Sequence, residues 1–531
     1  MAPLDKMNFD LAFKRVVDEL TQQRKTGRAF VTNPYELELV ELDRAAWLAD
    51  LRQLVLEGSY IPGPIQICSA PKGSGLMRPG VRMSLADRVV YTAAVGSCVK
   101  HIVKTTKWSQ RKTDFAPLFA EEFQKRHWLL EPFTGWDLWT TETLRRLGLA
   151  KTKFVVTADI AGYFENISLS RLKSELTRAG CPADIVELIT RCLLGWAAVR
   201  DSGLPQGVLA SDVLSKLYME SFDKRMRDEG YTHIRYVDDV RVFCGSELEA
   251  RRALVLVTEL LRERGLVVQS AKTKIRLADA DLEKEFAGAV PIIKALHREY
   301  VEEALEAGLV SEDEASVPAS VIDELADAEP DSMNPAVFRR AFDRFVLGEE
   351  RPNGTMFRYL LRRFAKRGDD HAVDYCATRP LTAPNEIPEI LRYFEDLKNP
   401  KRLEVPLRKL LNSKDLSIYP FSRFLVLAWL VNHGSSRTPT VAAIRKQAFS
   451  PENPAFVRAA ARRALGRVGD DSDLDRMAAL LSSETDPFER AQILCCLTRL
   501  EKGRRNALAG RVKQEKPWGR LAATFIKQSP S

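Results

Sequence analysis

Residues Arg235 to Phe243 read RYVDDVRVF, two adjacent aspartates, Asp238 and Asp239, set between hydrophobic β-formers. Charged side chains are costly inside a strand, so the pair belongs at the tight turn of a hairpin, where both carboxylates reach a cation. A bare D-D turn means little by itself. A matching context lies upstream in FVVTADIAGYFENIS, Phe154 to Ser168, where Asp159 ends an apolar strand and the aromatics Tyr163 and Phe164 follow. Phosphoryl transfer by the two-metal route needs carboxylates from separate strands to hold two divalent ions about 4 Å apart, one activating the attacking hydroxyl and one supporting the leaving group. Asp159, Asp238 and Asp239 supply such a cage.

Around this core the chain has 531 residues, 45% hydrophobic, enough for at least two domains, and neither disorder nor a collagen-like repeat fits. The longest apolar run, Phe424 to Val431, is far short of the roughly 18 residues of a membrane span, and MAPLDKMNFD carries no apolar signal core. A cytoplasmic protein with no membrane partner is expected. The eight cysteines form no C-x-x-C pair and the six histidines show no metal spacing, so neither a zinc site nor a disulfide framework is indicated.

The formal charge is +8, and its distribution says more than its sum. Between Pro71 and Lys112 stand nine basic residues, Lys72, Arg78, Arg82, Arg88, Lys100, Lys104, Lys107, Arg111 and Lys112, against the single acid Asp87. Glu302 to Asp331 is strongly acidic and reads as a linker or loosely packed helices. Helical spacing marks 9–25, 42–57 and Leu85 to Lys104, and short strands are expected at Phe154 to Thr157 and Val240 to Phe243.

From about Val290 strand signals fade and a repeat begins. Segments at Pro388, Pro420, Pro454 and Pro487 start 32, 34 and 33 residues apart, each with a proline at a helix start and then an arginine, Arg392, Arg423, Arg458 or Arg490. This period resembles HEAT-like α-solenoid repeats. The cluster Arg458, Arg462, Arg463 and Arg467 reads as a candidate basic stripe or as a solvated face.

The order of motifs resembles the reverse transcriptases. ADIAGYF, then LPQG (Leu204 to Gly207) with LASDVLSKLYMESFD behind it, then YVDD (Tyr236 to Asp239), then GLVVQSAKTKI around Lys272 are similar to the successive palm motifs. Tyr60 to Val95, YIPGPIQICSAPKGSGLMRPGVRMSLADRVVYTAAV, is similar to the fingers motif of prokaryotic members, with Lys72, Arg78 and the Asp87-Arg88 pair at matching places. The resemblance implies an α/β right-hand polymerase of fingers and palm over 1–290, connecting helices over 291–335, and an all-α HEAT-like helical repeat domain over 336–531. It implies Asp159, Asp238 and Asp239 as ligands of two Mg²⁺ ions, for which Mn²⁺ substitutes, with the Ile160 carbonyl as a backbone ligand. Lys72 and Arg78 would neutralise an incoming dNTP, Gln206 and Gly207 would lie beneath the nascent pair, and Lys272 would serve as proton donor to pyrophosphate. Phe164, five residues after Asp159, stands where the family carries a steric gate against the ribose 2′-hydroxyl, although Tyr163 is the other ring available for that place.

Fingers and palm followed by helical repeats resemble the abortive-infection and defence-associated reverse transcriptases. That class implies antiphage defence, a DNA product, homo-oligomers, and either untemplated synthesis primed on a protein tyrosine or copying of an associated noncoding RNA. Tyr35, Tyr300, Tyr393 and Tyr419 are the tyrosines considered for priming. The competing readings are a templated reverse transcriptase of a mobile element or spacer-acquisition system, and a catalytically silent scaffold with a protein-binding solenoid. Three mutually repelling carboxylates kept together without a metal argue against the scaffold.

Overall fold

Strand Phe154–Ala161 organises the first half of the chain. The computed structural model describes residues 3–25, 35–73, 75–197, 201–287, 333–349, 354–397, 403–433 and 437–529, with positions 292, 295, 296 and 299. In chain order the first half comprises α1 (Phe9–Lys25), α2 (Glu36–Glu41), α3 (Arg44–Leu56), a hairpin of β1 (Gln66–Pro71) and β2 (Met77–Arg82), α4 (Leu85–Thr106), α5 (Pro132–Leu147), β3 (Phe154–Ala161), α6 (Leu169–Arg178), α7 (Ala183–Trp196), α8 (Leu209–Asp228), β4 (Thr232–Tyr236), β5 (Asp239–Cys244), α9 (Glu247–Glu263), β6 (Val267–Val268), β7 (Lys274–Leu277) and α10 (Ala280–Ala287). The helices expected at 9–25, 42–57 and Leu85 to Lys104 are α1, α3 and α4. Strand β3 runs past Asp159 instead of ending there, because its last residues find partners in the pairs Asp159 with Asp239 and Ile160 with Val268.

β3 pairs antiparallel with β5 on one edge and with β6 and β7 on the other, and β4 flanks β5. Alternation along the strands decides which residues meet. Val156, Ala158 and Ile160 of β3, with Val240, Val242 and Cys244 of β5, face the main core built with α1, α4, α7, α8 and α9. Val155, Ile234 and Phe243 face a smaller core with Phe115, Trp139, Leu147 and Leu282. Asp159 and Asp239 share the parity of this second set.

The matched Asp87-Arg88 pair has a structural role. Ser84 caps α4, its oxygen accepting from the Asp87 N–H at 3.1 Å, and Asp87 in turn accepts from the Gly63 N–H at 3.1 Å, the Ser84 hydroxyl at 2.7 Å and the Tyr60 hydroxyl. Arg88 is buried against Glu19 of α1 at 3.2 Å.

A fully buried ion cluster lies beneath the β4–β5 turn. Asp114 accepts from Lys216 at 2.5 Å and forms an ion pair with Arg235 at 2.8 Å, Arg235 also reaches Asp223 at 2.9 Å, and Asp223 meets His233 at 3.1 Å. Arg235 extends a longer contact, 3.4 Å, to the Val237 carbonyl in the turn itself.

Among the described residues beyond 290 there is no strand. The four repeat starts are the helices Ile387–Glu395, Pro420–His433, Ala455–Val468 and Pro487–Cys495, each packed on the next, and Trp518–Gln528 continues the series. The recurring arginine has a physical role in three of them: Arg423 donates to the Ser417 carbonyl, Arg458 to that of Asn453, and Arg490 to that of Glu484 at 3.0 Å. Each guanidinium ties its helix to the connection preceding it. The acidic stretch Glu302 to Asp331 lies outside the described residues.

The helical half closes on the first half. β1 lies against Pro420–His433 and α2 against Trp518–Gln528, and Tyr35, Leu39 and Cys68 join the helical core. Ion pairs Arg463–Glu38 at 2.6 Å, Arg520–Asp43 at 3.1 Å and Arg82–Glu489 at 3.9 Å cross the contact. The four arginines of the candidate stripe are therefore not an open face: Arg462 is buried and donates to the Ala448 carbonyl, Arg463 pairs with Glu38, Arg458 bonds Asn453, and Arg467 alone is exposed.

Two measurements test this packing. Asp114→Asn leaves Lys216 and Arg235 short of a buried countercharge, and urea unfolding is expected to show a loss of about 3 kcal/mol or more. Glu220, hydrogen-bonded by the Ser109 hydroxyl at 2.5 Å, is pushed up to about 7 by burial. Its folded form keeps a proton that the unfolded chain releases near pH 4.5, so stability falls as pH rises from there through 7. The urea midpoint of Glu220→Gln, compared with the wild type, is expected to gain at pH 8 relative to pH 5.

Candidate active site

Period-two alternation brings the first two carboxylates together. Asp159 and Asp239 are direct partners across β3 and β5, where opposed Cβ atoms stand about 5 Å apart and like charges destabilise the pair. Asp238 occupies the two-residue turn between β4 and β5, in which Val237 adopts φ 57°, a left-handed conformation unfavourable for a β-branched residue. The turn is held by the Ile160 N–H donating to the Asp238 carbonyl at 3.1 Å and by Arg235 reaching the Val237 carbonyl.

The electrostatics are those of crowded, partly buried carboxylates. Burial, then the charges of Asp238 and Asp159, push Asp239 up to about 6. Burial raises Asp238 too, with Asp159 adding to the rise and Arg78 and Lys272 opposing it. Lys272 Nζ stands 3.2 Å from both carboxylate oxygens of Asp159.

A donor set of carboxylate oxygens that repel one another suits hard divalent cations. Among the described residues no three His, Cys, Asp or Glu side chains close a complete cage. The expected cage of Asp159, Asp238 and Asp239 is therefore not closed by these three side chains alone.

The remaining predicted residues divide. Lys72 and Arg78 sit on the β1–β2 hairpin, Lys72 at its turn with its N–H donating to the Leu76 carbonyl at 2.7 Å, and Arg78 exposed with its charge felt at Asp238. The Gln206 carbonyl accepts from the Val81 N–H of β2 at 3.3 Å, and Gly207 takes φ 90°, which only glycine adopts readily. Of the two candidate gate rings, Tyr163 is buried and donates its hydroxyl to the Ser215 carbonyl at 2.8 Å, whereas Phe164 is half-buried.

Three of the four tyrosines considered for priming are described, and each has its own place in the packing. Tyr35 is packed between Phe525 and Arg463 at the contact of the two halves. Tyr393 is buried with its hydroxyl donating to the Asp369 carbonyl at 2.7 Å, and Tyr419 is half-buried against the helical core. Tyr300 lies outside the described residues.

Sequence reasoning missed Arg241. It shares the outward parity of Asp239, donates to Thr143 Oγ1 at 2.6 Å, and lies between the rings of Trp139 and Phe286 at 3.6 and 3.7 Å, while its charge pulls Asp239 back toward ionisation. Its position two residues after Asp239 is a signal the strand period contains.

Protein YkfC of Escherichia coli (strain K12) is 25% identical over 199 residues, covering 36% of this chain and 47% of that protein, so the chain spans about half the length of the curated relative it matches. A solved telomerase from Candida albicans, in complex with a fragment of telomeric RNA, is similar at 12% identity and a TM-score of 0.31, over 71% of this chain and 67% of that one. Residues 71–304 match the family described as reverse transcriptase (RNA-dependent DNA polymerase), so this segment, which holds β2, the five-stranded sheet and the three aspartates, is a reverse transcriptase domain.

Proposed function

We propose that this protein polymerises dNTPs into DNA on an RNA template. The observation that carries the reading is the cross-strand pair Asp159 and Asp239 with Asp238 in the adjoining turn, inside a domain that matches the reverse transcriptases. Asp159, Asp238, Asp239 and the Ile160 carbonyl would hold two Mg²⁺ ions, or Mn²⁺ in their place, which supply charge neutralisation for phosphoryl transfer. Lys72 and Arg78 offer positive charge to the triphosphate from the hairpin, Gln206 and Gly207 form the floor of the cleft, and Lys272, already on Asp159, is the proton donor at the leaving-group side. Phe164, the more accessible ring, excludes the 2′-hydroxyl.

The serial packing of the repeat-start helices supports reading 336–531 as a HEAT-like solenoid joined to fingers and palm over 1–290, the architecture of defence-associated reverse transcriptases, which act against phage. Burial of Tyr35 and Tyr393 disfavours both as primers.

The decisive experiment incubates purified protein with labelled dNTPs and Mg²⁺ or Mn²⁺, with and without RNase pretreatment, then resolves products by denaturing electrophoresis before and after proteolysis. Free DNA lost on RNase pretreatment is expected; label that stays on protein until proteolysis would move the primer to a tyrosine. Replacing Asp238 and Asp239 together by alanine should lower incorporation by about 10³-fold or more with the circular dichroism spectrum unchanged. Phe164→Ala should raise ribonucleotide use relative to deoxyribonucleotide by roughly 10²-fold, and unchanged selectivity would place the gate elsewhere.

A further inference from the structure

The basic block between Pro71 and Lys112 does not act as one unit. Lys72 and Arg78 lie on the hairpin, while Arg82 and Arg88 are buried in ion pairs with Glu489 and Glu19. The other five, Lys100, Lys104, Lys107, Arg111 and Lys112, are exposed along the last turns of α4 and the turn after it. Lys100, Lys104 and Lys107 follow helical spacing, while Arg111, at φ 62° with its N–H donating to the Asp114 carbonyl at 2.9 Å, belongs to the turn after the helix.

Among the described residues none of these five side chains has an acidic partner within ion-pair distance, although exposed cations elsewhere do, as in Arg44–Glu41, Lys125–Glu122 and Lys173–Glu187. At the centre stands Trp108, 38% exposed, with two cations from different elements over its ring: Lys112 at 5.4 Å and Arg227, from the end of α8, at 3.9 Å. Lys224 and Arg225 are exposed on the same last turns of α8. The nearby acids are Asp228, 3.2 Å from Arg227, Glu229, 3.6 Å from Arg225, and the half-buried Glu220, which accepts from the Ser109 hydroxyl beside Trp108. Cations outnumber them.

We infer that Trp108 and the cations around it form a second nucleic-acid contact, outside the catalytic cleft, that grips the phosphodiester backbone of RNA held by the protein. Unpaired cations beside an exposed aromatic are the chemistry of sequence-independent single-strand binding. Arg227 lies about 27 Å along α8 from Leu209, which follows the Gln206–Gly207 loop, so one strand occupying both places is anchored away from the chemistry. The inference deepens the polymerase reading and rests on it for the identity of the polyanion.

The test uses the full chain with Lys104, Lys107, Arg111 and Lys112 replaced together by alanine, all surface positions. Fluorescence anisotropy with a labelled single-stranded RNA, and with DNA of the same sequence, is read across a salt series. For RNA the variant is expected to bind at least about tenfold more weakly, with a log–log salt slope shallower by about 3. Extension of a primer–template too short to leave the cleft should stay within about twofold of wild type. Unchanged RNA affinity and slope overturn the inference, and loss confined to DNA reassigns the contact to product. Absent extension by the wild-type protein, with the RNA loss intact, would fail the polymerase reading while leaving the contact standing.

Discussion

The β4–β5 turn that carries Asp238 depends on Arg235. Its guanidinium is fully buried, and so are Asp114, Asp223 and Lys216 around it, which makes the cluster two carboxylates against a guanidinium and an ammonium with His233 at one end. Isolated, any of these charges would be prohibitive in an apolar interior; together they neutralise one another and fix geometry. The fixed geometry extends to the backbone: the Arg235 N–H donates to the Thr113 carbonyl at 2.6 Å and the Arg235 carbonyl accepts from the Phe115 N–H at 3.0 Å. β4 is thus clamped by side chain and main chain three residues before Asp238. A valine in the left-handed region at Val237 costs on the order of 1 kcal/mol or more, and such strain persists only where the surroundings over-determine it. The buried cluster below and the Ile160 N–H beside the turn provide that determination.

The carboxylates themselves state the opposite constraint. Asp159 and Asp239 would be better separated for stability, since opposed like charges weaken a sheet and burial raises the cost of ionising them. Lys272 on Asp159 and Arg241 beside Asp239 each offset part of that repulsion. These cations come from different elements, β5 and the turn before β7, so the sheet brings its acids and their compensation together through long-range pairing.

Such pairing explains which features could be read from the chain alone. Asp159, Asp238 and Asp239 were legible because strand alternation and an improbable D-D turn are local signals. α1, α3 and α4 were legible from their period, and so were the repeat starts at Pro420, Pro454 and Pro487. Arg235 and Arg241 flank the same motif, yet nothing local distinguishes a buried arginine bridging Asp114 and Asp223 from a surface one; the partners lie on elements more than ten residues away. The stripe at Arg458 to Arg467 failed for the converse reason. Its helical spacing was real, but α2, the preceding loop and the end of the helix Thr438–Phe449 consumed three of its four guanidinium groups. Spacing identifies a face and says nothing of what covers it.

The same coverage bears on the hairpin that carries Lys72 and Arg78. On one side β2 is tied to the Gln206–Gly207 loop through the Val81 N–H and the Gln206 carbonyl. On the other, Cys68 of β1 enters the core of the helical half, Arg82 meets Glu489, and Gly73 at the hairpin turn lies beside Asn385. A two-stranded hairpin is marginal by itself in water, so its orientation is set by what it packs against. Here that support comes from residues some three to four hundred positions later in the chain. Any shift of the helices at Pro420–His433 or Pro487–Cys495 therefore moves the charges of Lys72 and Arg78 relative to Asp238, and the helical half is part of the site's geometry whatever else it binds.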